Sequence, residues 1–343
     1  MANLAPLLQP AFVARIYRHY ERVNKDWRRP HLGASVVGNP CRRALWFSFR
    51  WVIAPNFDGR MLRLFDTGNV EEGRLVRDLR DISLEVYDKD PETGAQFSVS
   101  ISPHFGGSLD GIAAGFEEAP KKWHVLEFKT HSQKSFDALA LEGVQVSKPF
   151  HYAQMQIYMY EFSHRYPGEF DRAMYIAVNK NTDAIHSERI RLDVKFARDL
   201  IEKGLSVISS PIPSPRMYDA ENAPDCIFCP YHHLCFGNEW RPTETGKWAF
   251  IPRATGWAVE KNCRTCLHSS PIQEKRGDGC GAWACAVGMP IGPCEREGCL
   301  RHLFVPDLLF GWHVVDAHKG GDWVKYGEGI NFAGGRLEVS GER

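Results

Sequence analysis

The cysteines constrain the fold of this chain more than any other residue type does. The 343-residue sequence contains ten, of which Cys41 stands alone, and the others fall in two groups between Cys226 and Cys299. The N-terminus lacks the apolar core and small-residue cleavage site of a signal peptide. Because reducing compartments keep thiols reduced, cysteines there bind metal or react more often than they form disulfides. We therefore expect a cytoplasmic protein with metal-binding cysteine sites.

Total charge says nothing about partners, but its distribution does. Lys plus Arg and Asp plus Glu both total 42, whereas residues 1–50 carry nine basic side chains and two acidic ones. With 43% hydrophobic and 24% charged residues, the composition excludes disordered, collagen-like and coiled-coil proteins. No apolar run approaches the roughly 18 residues of a membrane-spanning helix. We expect a folded protein with a basic opening and no membrane partner.

Hydrophobic periodicity predicts an α/β fold. Apolar residues three or four apart indicate helices. These helices are expected at 4–22, 41–52, 69–82, 133–141 and 149–164, with a further one that follows the last strand and ends at 208. Alternating apolar residues indicate mostly antiparallel strands, around 84–86, 97–101, 108–114, 124–130, 172–178 and 184–191. The buried stripe of the third helix is expected to contain Val70, Leu75, Val76 and Leu79. The pattern predicts a mixed α/β fold.

Three segments follow from this pattern and from the cysteines. We predict a first domain over 1–245 that contains the first cysteine group, a small cysteine-rich module over 246–305, and a tail over 306–343. The module has many Gly and Pro residues and little periodicity, which favours folding around a metal over folding around an apolar core. Short strands are expected in the tail around 312–315 and 322–326.

Two neighbouring strands carry a concentrated set of ionisable residues. Asp110 lies in Gly107-Ser108-Leu109-Asp110-Gly111, and Glu127 follows it by 17 positions, within Glu127-Phe128-Lys129. Side chains two apart on a strand share a face, and a hairpin would bring Asp110 to them. Carboxylate oxygens suit Mg²⁺ or Mn²⁺, and a neighbouring lysine can hold an attacking water. Taken by itself, the Glu-x-Lys pattern also fits an ordinary solvent-exposed strand without a metal site.

Two helices add to this set. Gln154 and Tyr158 lie four apart and so share a helix face. Glu71 and Glu72 follow Gly68, where we expect the missing side chain to permit a close backbone approach. His124, His131 and His151 are also near the set, and we expect them to be hydrogen-bonded or exposed, not metal ligands.

In combination these residues resemble the PD-(D/E)XK nuclease superfamily, in its RecB-like branch, over roughly residues 35–235. The resemblance implies a restriction-endonuclease-like α/β core, in which helices flank a central mixed sheet. It also implies a metal-dependent DNA nuclease, an exonuclease of phage or prophage recombination in a bacterial cell. Its partners would be DNA and a recombination or single-strand-binding protein. A nucleic-acid-binding or assembly component with a nuclease fold is the alternative.

The resemblance also implies roles for individual residues. Mg²⁺ or Mn²⁺ would be held by Asp110, Glu127 and the carbonyl of Phe128, and Lys129 would orient the attacking water. The family's helix motif, Gln154 and Tyr158, would position the DNA strand or the lysine. Many RecB-like nucleases place a histidine in the early helix, whereas Glu71-Glu72 is similar to the lambda-exonuclease and YqaJ type. The family's spacing from the glycine favours Glu72 as the catalytic residue.

The first cysteine group has the spacing Cys226-x2-Cys229-x5-Cys235. Together with Cys41, it resembles the one-plus-three arrangement by which CRISPR-associated RecB-like nucleases and the AddB subunit hold a [4Fe-4S] cluster. Four thiolates suit iron–sulfur or zinc equally by ligand type, so the preference for iron comes from the resemblance. Such a cluster would tie the helical opening to the end of the first domain.

The second cysteine group opens with Cys-x2-Cys, a good zinc signal. We predict a zinc ribbon or knuckle that grips DNA, binds a partner or stabilises the tail. The preferred ligands, with His302 as the substitute, are Cys263, Cys266, Cys285 and Cys299.

Basic and aromatic residues alternate near the start of the chain. Arg42, Arg43 and Arg50 lie close to Trp46 and Trp51 and could form a nucleic-acid-binding surface. A solvated arginine face over buried tryptophans is an equal alternative. The sequence has no Gly-x4-Gly-Lys phosphate loop, so no ATP-driven helicase activity is expected.

Overall fold

The computed structural model describes residues 10–24, 28–54, 57–243, 247–252, 259–292, 294–308, 314–317, 323–326, 329–332 and 337–338. The chain divides into two compact units that alternate along the sequence. Unit 1 comprises Met1–Arg28, Pro55–Ile101 and Gly106–Ile201, and unit 2 comprises Arg29–Ala54, Ser102–Phe105 and Glu202–Arg343.

A five-stranded mixed sheet organises unit 1. Its strands are β2 (Glu85–Tyr87), β5 (Gly111–Ala114), β6 (His124–His131), β7 (Arg172–Asn179) and β8 (Ile185–Arg191). They are ordered β2-β5-β6-β7-β8, with β6 and β7 parallel and all other neighbours antiparallel. Strands β3 (Ser98–Ser102) and β4 (Phe105–Ser108) pair in a smaller sheet. The predicted mixed α/β architecture is confirmed.

The parallel pair requires a crossover, because a tight turn can join only antiparallel strands. Helices α5 (Gln133–Ser147) and α6 (Pro149–Arg165) supply it. Both β6 and β7 are buried along nearly their whole length, as expected of central strands that are covered on both faces. The crossover places α6 against β6, where the candidate site lies.

Helix α4 (Gly59–Asp81) packs against the sheet through Leu75, Val76 and Leu79. It begins well before the predicted start at residue 69, because Asp58 caps it by accepting a hydrogen bond from the Met61 backbone N–H at 2.7 Å. The prediction was wrong for Val70, which is 68% exposed.

Two more helices complete unit 1, α1 (Ala11–Val23) and α7 (Val194–Ser209), whose last residues belong to unit 2. Helix α1 crosses α4 where residue 59 is glycine, because a Cβ there would stand 2.2 Å from the Tyr17 carbonyl oxygen. Residues 4–9 of the first predicted helix lie outside the described residues. None of the described helices combines the length and apolarity needed to cross a bilayer.

Unit 2 is built from short elements. They are β1 (Leu32–Gly33), α2 (Ala34–Val37), α3 (Arg42–Phe49), α8 (Pro224–Ile227), α9 (His232–Phe236), β9 (Asn238–Pro242), β10 (Trp248–Pro252), β11 (Ser269–Lys275), β12 (Gly281–Cys285), α10 (Cys294–Glu297), β13 (Val314–Ala317), β14 (Trp323–Tyr326), β15 (Gly329–Phe332) and β16 (Leu337–Glu338). Strands β9–β10 and β11–β12 form antiparallel pairs, and β13–β16 form a four-stranded sheet. The two strands predicted in the tail correspond to β13 and β14.

A buried arginine holds the core of unit 2 together. Arg264 is fully buried, and its guanidinium donates to Glu295 Oε1 at 2.7 and 2.9 Å and to the Phe49 carbonyl at 3.0 Å. Its Cζ lies 3.6 Å from the centre of the Trp51 ring. A buried charge is tolerated only when it is paired and hydrogen-bonded, so this core depends on a set of directional contacts.

Candidate functional site

The β5–β6 hairpin brings Asp110 to β6. Asp110 immediately precedes β5, and its Oδ2 accepts a hydrogen bond from the Phe128 backbone N–H at 2.7 Å. Gly111 pairs with Leu126 in the same hairpin. The carboxylate is 13% exposed, so one oxygen is fixed by the backbone while the group stays open to a ligand.

Glu127 and Lys129 share one face of β6, as the two-residue period of a strand requires. The Lys129 ammonium forms an ion pair with Glu127 Oε1 and lies 3.8 Å from Asp110 Oδ2. It also donates to the Phe128 carbonyl oxygen at 2.9 Å. The structure thus brings together the four residues of the predicted metal and water site.

Helix α6 fixes the buried carboxylate of Glu127. Gln154 Nε2 donates to Glu127 Oε2 at 3.0 Å and to the Tyr158 hydroxyl at 3.2 Å. A Cβ at Gly107 would stand 2.5 Å from that hydroxyl, so the glycine leaves room for Tyr158. The described contacts of Gln154 are to Glu127 and Tyr158, whereas the family resemblance implied a contact with DNA or the lysine.

Only one of the two adjacent glutamates of α4 is coupled to the site. Burial raises the pKa of Glu72, and of the two site charges Asp110 raises it further while Lys129 lowers it. Glu71 instead pairs with Arg74 at 3.4 Å along the helix. A Cβ at Gly68 would meet no atom within 4 Å, so the close approach predicted there is absent.

Burial and like charge perturb the acidic groups. The pKa of Glu127, which is fully buried, is raised to about 8, first by burial, and Lys129 opposes this rise. The pKa of Glu72 is raised to about 7 by burial and then by Asp110. Burial lowers the pKa of Lys129, but the carboxylates of Glu127 and Asp110 outweigh it and the net shift is upward. Lys129 therefore stays cationic at neutral pH.

The charge balance of this set fits a divalent cation. Glu72, Asp110 and Glu127 contribute three carboxylates against the single ammonium of Lys129, so full ionisation leaves an excess of negative charge. Glu127 Oε1 has no hydrogen-bond donor among the described residues beyond its charge contact with Lys129. Across the described chain, no three His, Cys, Asp or Glu side chains are arranged to hold a metal as they stand. In this site the Lys129 ammonium supplies the contacting positive charge.

A tyrosine that sequence reasoning missed lies beside Glu127. Tyr175 is the β7 register partner of Glu127. Its hydroxyl contacts His131 Nε2 and His151 Nδ1, both at 2.8 Å. The expectation that these histidines are hydrogen-bonded is confirmed. His131 lies two residues after Lys129 and His151 three before Gln154, so the sequence could have indicated that the two histidines share a hydrogen-bond partner near the site. Only the pairing of β6 with β7 identifies that partner as Tyr175.

The first cysteine group gathers in unit 2. The thiols of Cys41, Cys226 and Cys235 all influence the pKa of Cys229, which is raised to about 11, first by burial. Cys41 is also the N-cap of α3, where its Sγ accepts the Ala44 backbone N–H at 3.4 Å. The four thiols are therefore near one another despite their separation in sequence, and they lie outside the unit that contains the carboxylates.

Four cysteines of the second group line one small cavity of unit 2. All four preferred ligands and the substitute His302 contribute to its wall, together with His268. The cavity has a volume of about 10 Å³, about that of a single water-sized sphere. No disulfide joins the nine cysteines whose side chains the structure describes.

The three candidate arginines of the basic opening have other partners. Arg50 is 1% exposed and donates to the carbonyl oxygens of Arg264, Ser269 and Ser210 at 3.0 to 3.3 Å. Burial leaves Arg50 no surface for a phosphate, which corrects the expectation for this residue.

Arg43 donates to the Ser214 carbonyl at 2.9 Å and hydrogen-bonds the Cys235 thiol. Arg42 is exposed and donates to Ser206 Oγ at 3.0 Å. Of the three, Arg42 has the most surface available for DNA.

Comparison with known proteins gives only distant similarities. No family model and no curated protein matches the sequence. Among solved structures, SSO0001 has 14% identity and a TM-score of 0.38, covering 66% of this chain and 98% of its own. The alkaline exonuclease LHK-Exo from Laribacter hongkongensis has 15% identity and a TM-score of 0.35, and its complex with dAMP has 13% and 0.36. Both LHK-Exo structures cover 52% of this chain and 87% of their own. Function must therefore be argued from the site.

Proposed function

We propose that this protein is a divalent-metal-dependent deoxyribonuclease of the PD-(D/E)XK type, an exonuclease that serves phage or prophage recombination. The observation that carries the proposal is the contact of Lys129 with both Glu127 and Asp110 on the β5–β6 hairpin. The coupling of Glu72 to the same charges supports it. The β5–β6 hairpin and helix α4 supply these residues, so their convergence is a product of the fold.

The proposed metal is Mg²⁺ or Mn²⁺, held by Asp110, Glu127 and the Phe128 carbonyl, with Glu72 binding directly or through water. When bound, the cation would polarise the scissile phosphate and make a water more acidic. Lys129 would orient the attacking water and stabilise negative charge on the phosphate. Gln154 and Tyr158 would keep the Glu127 carboxylate in place.

Digestion of labelled DNA by the full-length protein tests this proposal. We expect cleavage with Mg²⁺ or Mn²⁺ and none after the divalent metal is removed. Time courses on strands labelled at the 5′ or 3′ end identify stepwise release of nucleotides from one end. Binding without cleavage under all metal conditions would favour the alternative, a nucleic-acid-binding or assembly component.

Glu72 and Glu71 form a matched pair for mutation. Glu72→Gln should reduce cleavage by about 10- to 100-fold, since groups that support a metal site typically contribute that much. Glu71→Gln should leave the rate unchanged, because Glu71 pairs with Arg74. Initial cleavage rates at saturating Mg²⁺ distinguish the two variants, and equal losses would contradict the assignment.

The raised pKa of Glu127 predicts a pH-dependent stability in protein freed of Mg²⁺ and Mn²⁺. Glu127 holds its proton in the folded state up to a pKa of about 8, whereas its ordinary value is 4.5. Its contribution is complete below the ordinary value and is lost as pH rises through the folded value. We expect Tm to fall over this interval and Glu127→Gln to flatten the decline. An unchanged slope in this variant, with Glu71→Gln as the control, would contradict the expectation.

We also infer that Cys41, Cys226, Cys229 and Cys235 hold a [4Fe-4S] cluster. Burial raises the pKa values of Cys226 and Cys229, and the thiols of Cys41 and Cys235 raise both further, which supports a shared site. A backbone hydrogen bond from Tyr231 to the Cys229 sulfur favours the thiolate form that a metal ligand requires. The role is structural, since all four lie in unit 2 and none in the unit with the carboxylates.

A further inference from the structure

The cavity of the second cysteine group is shaped for an ion and not for an organic ligand. Its volume of about 10 Å³ is close to the minimum that one water needs. Four cysteine sulfurs and two imidazoles form half of its lining, and such soft donors select zinc over Mg²⁺ or Ca²⁺. Cys263 and Cys266 are 7% and 6% exposed.

The sulfur of Cys266 is held in place by backbone hydrogen bonds. The backbone groups of His268 and Leu303 hydrogen-bond to it. Both come from residues that border the cavity: His268 lines it, and Leu303 follows His302, which also lines it.

His302 presents an unsatisfied nitrogen in the same cavity. Its Nε2 lies 3.0 Å from the Asn262 carbonyl oxygen, so Nε2 carries the hydrogen and donates. In the neutral ring Nδ1 then has a lone pair and no hydrogen. The His302 side chain is fully buried, and its Nδ1 has no hydrogen-bond partner among the described residues. Metal-bound histidines commonly donate their other ring N–H to a backbone carbonyl.

We propose that this cavity binds one Zn²⁺ through Cys263, Cys266, Cys299 and His302 Nδ1, with Cys285 outside the ligand set. The four form two pairs of equal spacing, Cys-x2-Cys and Cys-x2-His. Binding would draw the donors together around the ion and release the thiol protons. This site is independent of the nuclease proposal, because all its residues lie in unit 2.

Cys285 and Cys299 provide a matched comparison within one protein, since both are half-buried thiols of the cavity wall. Full-length protein is treated with iodoacetamide before and after removal of zinc by a chelator, and each cysteine is quantified by mass spectrometry. We expect zinc to protect Cys299 and to leave Cys285 reactive. Protection of Cys285 and reaction of Cys299 would overturn the assignment. This comparison needs no variant that must fold.

Metal analysis of variants gives the second measurement. The parental protein should contain about one zinc per chain at this site, and Cys299→Ser and His302→Ala should lose it. Cys285→Ser, the control, should retain it. Zinc retained by His302→Ala but lost by Cys285→Ser would replace the proposal with an all-cysteine site. Parental protein that holds no zinc, and takes up none when zinc is added after reduction, would overturn the site altogether.

Discussion

Replacement of Lys129 by alanine is expected to reduce Mg²⁺-dependent DNA cleavage by at least about 100-fold, the usual cost of removing a group that stabilises transition-state charge. Asp110→Asn and Glu127→Gln should lower it comparably, because each removes a proposed metal ligand. Both amides can still accept the hydrogen bonds from Phe128 and Gln154 that hold the carboxylates. The variants should therefore fold and keep their affinity for DNA. Initial cleavage rates, DNA-binding curves and thermal unfolding together measure these effects.

Lys134→Ala is the control for this experiment, since Lys134 is an exposed lysine on the helix that follows β6. It should cleave DNA at the parental rate. If the Lys129→Ala protein also cleaves at that rate with Mg²⁺, the residues of the active site have been assigned wrongly.

Cys41→Ser and Cys229→Ser are expected to behave alike. Each should contain at least roughly tenfold less iron than the parental protein and unfold at a lower temperature. They are far apart in sequence, so a shared loss would show that they serve one cluster. Iron and sulfide analysis of anaerobically purified protein, with thermal unfolding followed by circular dichroism, measures both effects.

Cys280→Ser serves as the control, because Cys280 belongs to neither predicted ligand set and contacts Asp278. It should retain the parental iron content. Parental protein with zinc and no iron at the first group would replace the iron–sulfur assignment and leave the shared four-cysteine site in place. Iron retained in full by Cys41→Ser would remove Cys41 from the site.

The parts of the site that local rules determine could be predicted from sequence. The strand period places Glu127 and Lys129 on one face, and the hairpin brings Asp110 to the neighbouring backbone. Helical spacing places Gln154 and Tyr158 together. These relations depend on residues that are close in the chain, so they survive any arrangement of the remaining elements.

Features that depend on distant partners could not be predicted. Arg50 was expected at the surface, yet carbonyl groups more than 150 residues away accept from its guanidinium. Tyr175 lies beside Glu127 because the parallel pairing of β6 and β7 makes the two residues register partners. The sequence around a basic residue is the same whether its charged group contacts water or buried carbonyl groups. Tertiary packing decides between the two.

Unit 2 is built from three separate segments of the chain, which affects how it folds during synthesis. Phe49 and Trp51 leave the ribosome early, but the guanidinium that covers them belongs to Arg264, which is 215 positions after Phe49. Glu295, which neutralises that guanidinium, is translated later still. The segment 29–54 must therefore wait, with its aromatic side chains uncovered, while nearly all of unit 1 is synthesised. A chain whose translation stops before residue 264 lacks Arg264, so Phe49 and Trp51 remain exposed. We expect such fragments to be bound by chaperones or degraded by proteases.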